Sequence, residues 1–203
     1  MKRIIFLAVA IALSGCASTS LDYTAPEPRS ITKGVLIDKS FDKVWDKLVE
    51  KLSSDFFVIN NIEKESRIIN VSFTTNTPEK YVTCGKTVRT LNDSDGITEV
   101  SYDPAASSSY VGVNPNGVPF NIKRNTKMTG RVNIYVAPVG GKTKIAVNSK
   151  YLLKVTQSVI EYGVPNSRTE EIDLSTSSTY IGGNGFSCNA TGELERAIIA
   201  YAM

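Results

Sequence analysis

Two stretches in the second half of the chain alternate apolar and polar residues with period two, and a Gly-Gly pair separates them. Met128, Gly130, Val132, Ile134 and Val136 alternate with Thr129, Arg131, Asn133 and Tyr135. Beyond Gly140-Gly141, the residues Ile145, Val147, Ser149, Tyr151, Leu153 and Val155 fall on one side, with Lys144, Asn148, Lys150 and Lys154 on the other. Alternation of this kind puts the apolar side chains of a strand on one face, and the glycine pair supplies the positive φ of a tight hairpin turn. A long hairpin with one apolar face must bury that face against another layer.

The covering layer is legible at both ends of the sequence. Phe41, Val44, Trp45, Leu48, Val49, Leu52 and Phe56 recur at spacings of three and four, which predicts an amphipathic helix. Ser40 stands at the N-cap position, and Asp42 favours the first turn. Lys43–Asp46 and Lys47–Glu50 are candidate pairs on the solvated side. A second helix is expected from about Thr191, with Leu194, Ile198 and Tyr201 inward and Glu193, Glu195 and Arg196 outside.

Between the helices the chain reads as strands. Phe57 and Ile59 lead through Glu63-Lys64-Glu65-Ser66 to Ile69, Val71 and Phe73, a hairpin pattern. Shorter strands are expected at 34–38, 80–84, 87–91 and 97–102, with Asp93-Ser94-Asp95-Gly96 turning between the last two. A further strand at 168–181 sets Ile172, Leu174 and Tyr180 against Glu171, Asp173 and Thr179, and its acids are expected to pair with the lysines of 144–154 across a wet face. The order strand, helix, strands, helix predicts a single α+β domain over 34–203 with a mostly antiparallel sheet.

Composition narrows function by exclusion. The 203 residues contain no histidine, which removes Ser-His-Asp and Cys-His nucleophiles and His-ligated metal sites. No nucleophile elbow, P-loop or paired-carboxylate motif occurs in a credible setting, so the reading is non-enzymatic, with no cofactor and no metal. Gly182-Gly183-Asn184-Gly185 lacks the lysine and spacing of a phosphate loop and reads as a flexible turn. Net charge is +3, of which Lys2 and Arg3 supply two positive charges, so nothing electrostatic directs the rest of the chain to nucleic acid.

The N-terminus reads as an address. Met1-Lys2-Arg3 precedes an apolar run of ten residues, Ile4 to Leu13, the length of a signal-peptide core and about half of the roughly 20 apolar residues a spanning helix needs. The run ends in Leu13-Ser14-Gly15-Cys16, which resembles a bacterial lipobox. That resemblance implies a leader over 1–15 and a mature chain carrying lipid on Cys16: two glyceride acyl chains on the thiol and an N-acyl chain such as palmitate, enough for stable anchoring. The residue after Cys16 is Ala17 rather than the aspartate that commonly retains Gram-negative lipoproteins in the inner membrane. The implied location is therefore the outer membrane, with the domain in the periplasm. Residues 17–33 carry Pro26 and Pro28 without periodicity and read as a flexible tether of roughly 20–25 Å.

Cys84 and Cys188 are the two remaining cysteines. An exported chain with an even pair permits a disulfide, the alternative being two buried thiols.

Several local patterns resemble a helix-grip-like class of proteobacterial lipoproteins. Asp42-Lys43-Val44-Trp45, Phe57-Val58-Ile59, Glu63-Lys64-Glu65-Ser66, Ile68-Ile69 and Ser72-Phe73 are similar to the domains of the lipoprotein subunit of the outer-membrane β-barrel assembly machine. The resemblance covers residues 34–75 and implies a helix laid in a curved antiparallel sheet and a binding role. Tyr81-Val82-Thr83-Cys84-Gly85 and Cys188-Asn189-Ala190-Thr191-Gly192-Glu193-Leu194-Glu195 resemble single-domain relatives, which implies that the two cysteines pair. This chain has one such domain with a long insertion, whereas that subunit carries two.

The insertion, about 103–125, is where function is sought. It reads as irregular, with Asn114-Pro115-Asn116-Gly117 able to turn a projecting hairpin, Tyr110 and Phe120 as aromatic anchors, and Lys123 and Arg124 at its base. The expectation is an interaction or scaffold module that docks an envelope protein through this segment or a sheet edge. The alternative is a carrier that holds a lipid or other apolar ligand between sheet and helix, where Ser149, Thr176 and Ser178 would add polarity.

Overall fold

The computed structural model describes residues 17–161 and 164–203, so the Cys16 reading and the leader lie outside the described residues. The chain runs β1 (Ser18–Thr24), β2 (Gly34–Ile37), α1 (Phe41–Ser54), β3 (Val58–Glu63), β4 (Ile68–Thr75), β5 (Val82–Thr83), β6 (Lys86–Asp93), β7 (Gly96–Tyr102), β8 (Ser108–Val113), β9 (Pro119–Val139), β10 (Lys142–Glu161), β11 (Val164–Ser175), β12 (Tyr180–Ile181), β13 (Ser187–Ala190) and α2 (Glu193–Ala202).

The hairpin predicted around Gly140-Gly141 is the spine. Strands β9 and β10 pair antiparallel from Lys142 opposite Val139 to Val159 opposite Ile122. They are long enough to take two successive neighbours on each outer edge. Along β9 these are β8, beside residues 119–124, and β4, beside residues 128–135. Along β10 they are β2 at residues 143–146 and β11 at residues 150–161. Strand β3 closes the β4 side. The sheet therefore has a proximal half near the 140–141 turn and a distal half beyond Met128 and Val155.

Both helices cover the proximal half. Helix α1 buries Val44, Trp45, Leu48 and Leu52, and α2 buries Leu194, Ile198, Ile199 and Ala202. These side chains form one core with Ile69, Val71, Phe73, Val132, Ile134, Val136, Ile145, Val147 and Leu153. The alternation in β9 is carried through in burial: Met128, Val132, Ile134 and Val136 are buried while Lys127, Thr129, Arg131 and Asn133 are exposed. Gly130 lies opposite Phe73, whose ring fills its place, since a Cβ there would fall 2.1 Å from a ring carbon. Ser40 holds the N-cap backbone geometry without a side-chain cap bond. Asp42 and Asp46 of α1 pair outside the helix, both with Lys64, at 2.9 and 3.8 Å.

A second sheet, in the order β1-β6-β7, stands against the distal half, and β12-β13-β5 form a small third sheet. Cys84, just past β5, is bonded to Cys188 in β13, with Cα atoms 4.0 Å apart. The whole is a single α+β domain in which antiparallel strands predominate.

Four expectations are corrected. The segment 17–33 is not wholly a tether: residues 18–24 form an edge strand paired with β6 from Ser18 opposite Asn92 to Thr24 opposite Lys86. Leu21 and Tyr23 supply the period-two signal that the prolines downstream obscure. The segment 103–125 is largely regular, because β8 pairs with the start of β9 around a turn at Asn114–Gly117. Its strands are polar on one face and lack a continuous apolar run. The expected strand at 80–84 shortens to two residues after a 3-10 turn at Pro78–Lys80, and the one at 168–181 runs instead over Val164–Ser175.

Candidate functional site

The hairpin β8–β9 divides the four residues singled out in 103–125 between two places. Tyr110 and Arg124 face inward and are buried, at 5% and 6% exposure, so Tyr110 is not a free aromatic anchor. Phe120 is half-buried and Lys123 exposed, and both line a hollow of about 730 Å³ at the distal tip. Pleat alternation separates Lys123 from Arg124, adjacent on one strand and so on opposite faces, while Phe120 shares the register of Arg124 and differs in lying four residues nearer the tip.

The inner place is a cleft of about 330 Å³ between the two sheets. Its second-sheet wall carries Leu21, Tyr23, Thr87, Arg89 and Tyr102, and its main-sheet wall carries Arg124, Val155, Gln157, Glu170 and Ile172. Gly183, Asn184 and Phe186 of the 182–186 turn close one side. Tyr23 ties that turn down, its hydroxyl accepting from the Ser187 amide at 3.0 Å and donating to the Ser187 carbonyl at 3.2 Å.

Aromatic rings and guanidinium groups fill the seam beside the cleft. Tyr102 stacks on Tyr110 with centroids 5.6 Å apart, and the Arg89 guanidinium lies 4.1 Å from the Tyr110 centroid. Arg89 Nε donates to the Tyr102 hydroxyl at 3.0 Å. Arg124 donates through Nη1 to the Ala106 carbonyl at 2.8 Å and stands 5.8 Å from the Tyr102 centroid. Burial lowers the Arg124 pKa and raises that of Tyr110. No carboxylate among the described residues forms an ion pair with either arginine. Glu170 is paired with Arg168 at 3.0 Å. Asp103 is occupied by the amides of Cys84 and Ala105 and by the Thr83 hydroxyl, fixing the chain beside the disulfide.

The outer face of the spine is cationic. Register sets Lys150 opposite Arg131 and Lys154 opposite Lys127, with Lys123 next along the stripe. All five side chains are exposed, and none forms an ion pair among the described residues. The expected partnership with acids holds in register at one position, Lys154 opposite Glu171, while Asp173 falls opposite Leu152. Like charges directly opposite in a ladder are destabilising. The stripe runs into the distal hollow, where Val118 and Ile160 are exposed at 49% and 69%.

A third polar cluster is sealed inside the helix-covered half. Glu195, expected outside α2, has no exposed surface. Its Oε1 accepts from the Tyr151 hydroxyl at 3.1 Å and from the Thr176 hydroxyl at 2.6 Å, and Thr176 accepts from the Ser149 amide at 2.9 Å. Among the described residues Glu195 Oε2 has no hydrogen-bond partner. Burial, then the Glu195 charge, raises the Tyr151 pKa strongly. Ser149 and Thr176 are thus inward as their registers allowed, whereas Ser178 is exposed.

Sequence reasoning missed Arg89, Tyr102 and Tyr23 as neighbours of Arg124, and Lys127, Arg131, Lys150 and Lys154 as one surface. The charge spacing of the second set was visible; its coincidence across strands needed the register. Among the described residues no group of three or more Cys, Asp or Glu is placed to hold a metal ion, and no helix is long and apolar enough to cross a membrane. Comparison with protein-family models, with curated proteins and with solved structures yields no match.

Proposed function

We propose that the chain is a non-enzymatic lipoprotein, held by Cys16 to the outer membrane and facing the periplasm, that docks an envelope protein on the outer face of β9 and β10. The observation carrying this reading is the pair of like-charge oppositions, Lys127–Lys154 and Arg131–Lys150. A face needing only to stay wet gains stability from alternating signs, and this one has them at Lys154–Glu171 but forgoes them along the β9–β10 pairing. The partner is a protein whose contact surface is acidic along its length and apolar at one end, where Val118 and Ile160 stand exposed. The resemblance of residues 34–75 to the helix-grip domains of the barrel-assembly lipoprotein, together with α1 and α2 laid on the sheet, supports a binding role; a fold alone does not assign the partner.

The test is photocrosslinking in cells from a probe at Ser158, on the outer face beside Lys123, together with native mass spectrometry of the protein released from its own membranes. A discrete partner crosslinked from Ser158, lost in Lys127→Glu/Lys154→Glu and retained when the two charge changes are placed on β7 instead, supports docking at this face. A bare monomer with no crosslink at Ser158 overturns it. The same spectrum reads the anchor, because an unmodified Cys16 would overturn the lipoprotein assignment.

The carrier reading gains one specific observation and changes place. The space between sheet and helices is filled by Trp45, Leu48, Leu52 and Met128, all buried. The space lined for a ligand lies between the two sheets.

A further inference from the structure

We propose that the cleft between the two sheets binds a small amphipathic anion, its acid group held by Arg124 and Arg89 and its apolar body lying against Leu21, Ile172 and Phe186. This goes beyond the docking reading and stands or falls separately from it.

The argument begins with Arg124. A guanidinium has five N–H donors and stays charged, and burying one without a carboxylate is unfavourable unless other groups compensate. Here 6% of the residue is exposed, and one donor is met by the Ala106 carbonyl. The Tyr102 ring at 5.8 Å offers partial compensation through its π face. Arg89 repeats the pattern across the cleft, with Nε on the Tyr102 hydroxyl and its planar group over Tyr110. The acids within electrostatic reach of Arg124 are engaged elsewhere: Asp103 by two amides and a hydroxyl, and Glu170 by Arg168.

Two cations therefore border one cleft with a single carboxylate in its lining, Glu170, which Arg168 engages; the other walls are mostly apolar or aromatic, with Thr87, Gln157 and Asn184 as the polar remainder. At about 330 Å³ it lies at the small end of ligand sites, which pair an apolar lining with a few fixed polar groups. An acid group on an apolar body satisfies both features at once, because a carboxylate or phosphate accepts from guanidinium in a two-point geometry. The 182–186 turn supplies the remaining wall, held in place by the Tyr23 hydroxyl on Ser187.

The test uses the full chain purified with its anchor in nanodiscs, with empty nanodiscs as reference. It is titrated with 2-naphthoate and with its neutral counterpart 2-naphthamide, by calorimetry for affinity and amide NMR for location. The expected result is saturable binding of the naphthoate, at least about tenfold tighter than the amide, because hydrogen bonds to a charged group are stronger than those to a neutral one. Amide shifts should centre on Thr87, Gln157 and Phe186. Arg124→Gln should weaken binding about tenfold; if its spectrum shows an unfolded chain, Arg89→Gln carries the same expectation from a less buried site. Absence of saturable binding, equal affinity for acid and amide, unchanged affinity in folded variants, or shifts centred on Val118 and Ile160 would each overturn the proposal.

Discussion

The two halves of the β9–β10 hairpin use the same alternating strands for opposite ends. Near the 140–141 turn the inward residues are Met128, Val132, Ile134, Val147 and Leu153, sealed under two helices. Beyond residue 126 toward the tip, the inward positions pass to Arg124 and Gln157, and the covering layer becomes a second sheet that leaves a cleft. The proximal half spends its apolar area on stability. The distal half keeps cations and aromatic rings where a close-packed core would carry aliphatic residues. A period-two pattern thus specifies a face, while the layer laid on that face determines whether it becomes a core or a site.

Variants and conditions that separate the halves follow in descending order of effect. Removing the Cys84–Cys188 bridge, as a double serine variant, should lower stability by up to about 4–5 kcal/mol in the chain-entropy account of a 104-residue separation, read by denaturant unfolding. An unchanged midpoint would mean that the third sheet holds without its staple. Leu48→Ala in the proximal core should cost about 3 kcal/mol, whereas Ile160→Ala at the exposed tip should stay within about 0.5 kcal/mol. Equal losses would erase the distinction between the halves.

Glu195→Ala leaves the Tyr151 and Thr176 hydroxyls buried without their shared acceptor and should cost about 2 kcal/mol in the same assay. Alkali should act on this half as well. Burial and the neighbouring Glu195 raise Tyr151, and burial, aided by the hydrogen bond to Asp55, pushes Tyr201 up to about 12. An unfolded tyrosine releases its proton near 10, so above that pH the folded chain holds more protons and stability falls as pH rises. Melts between pH 8 and about 11.5 should show this decline, and Tyr151→Phe should make it shallower, Tyr201 and Tyr110 carrying the rest. Smallest of all, Lys127→Glu turns a like-charge opposition with Lys154 into an attractive one and should stabilise the isolated domain by about 0.5 kcal/mol. A destabilisation there would remove the energetic argument for the basic face.

Legibility followed the range of the signal. Helix α1 was readable because Val44, Trp45, Leu48 and Leu52 repeat within a few residues and face one core. Strands β9 and β10 were readable for the same reason, and so was the turn between β6 and β7. Strand β1 was hidden because its partner lies some 70 positions away and its residues are mostly exposed on a sheet edge. Glu195 was placed outside α2 because a carboxylate on a helix is ordinarily solvated. Its burial depends on Tyr151 and Thr176, supplied by β10 and the turn after β11. Of the candidate site, Arg124 and Tyr110 could be picked out as unusual residues in their segment, but their inward direction could not.

By itself the sequence determined the class of the domain, its spine and the helix that covers half of it, since periodicity is written residue by residue. It also removed histidine chemistry outright. Tertiary structure decided what each face became: which strands lie beside one another, that Lys127 meets Lys154, and that Arg89 comes across a gap to the seam beside Arg124. Those outcomes depend on strand register and on the layer opposite. Both are set by contacts between residues far apart in the chain, which no local pattern encodes.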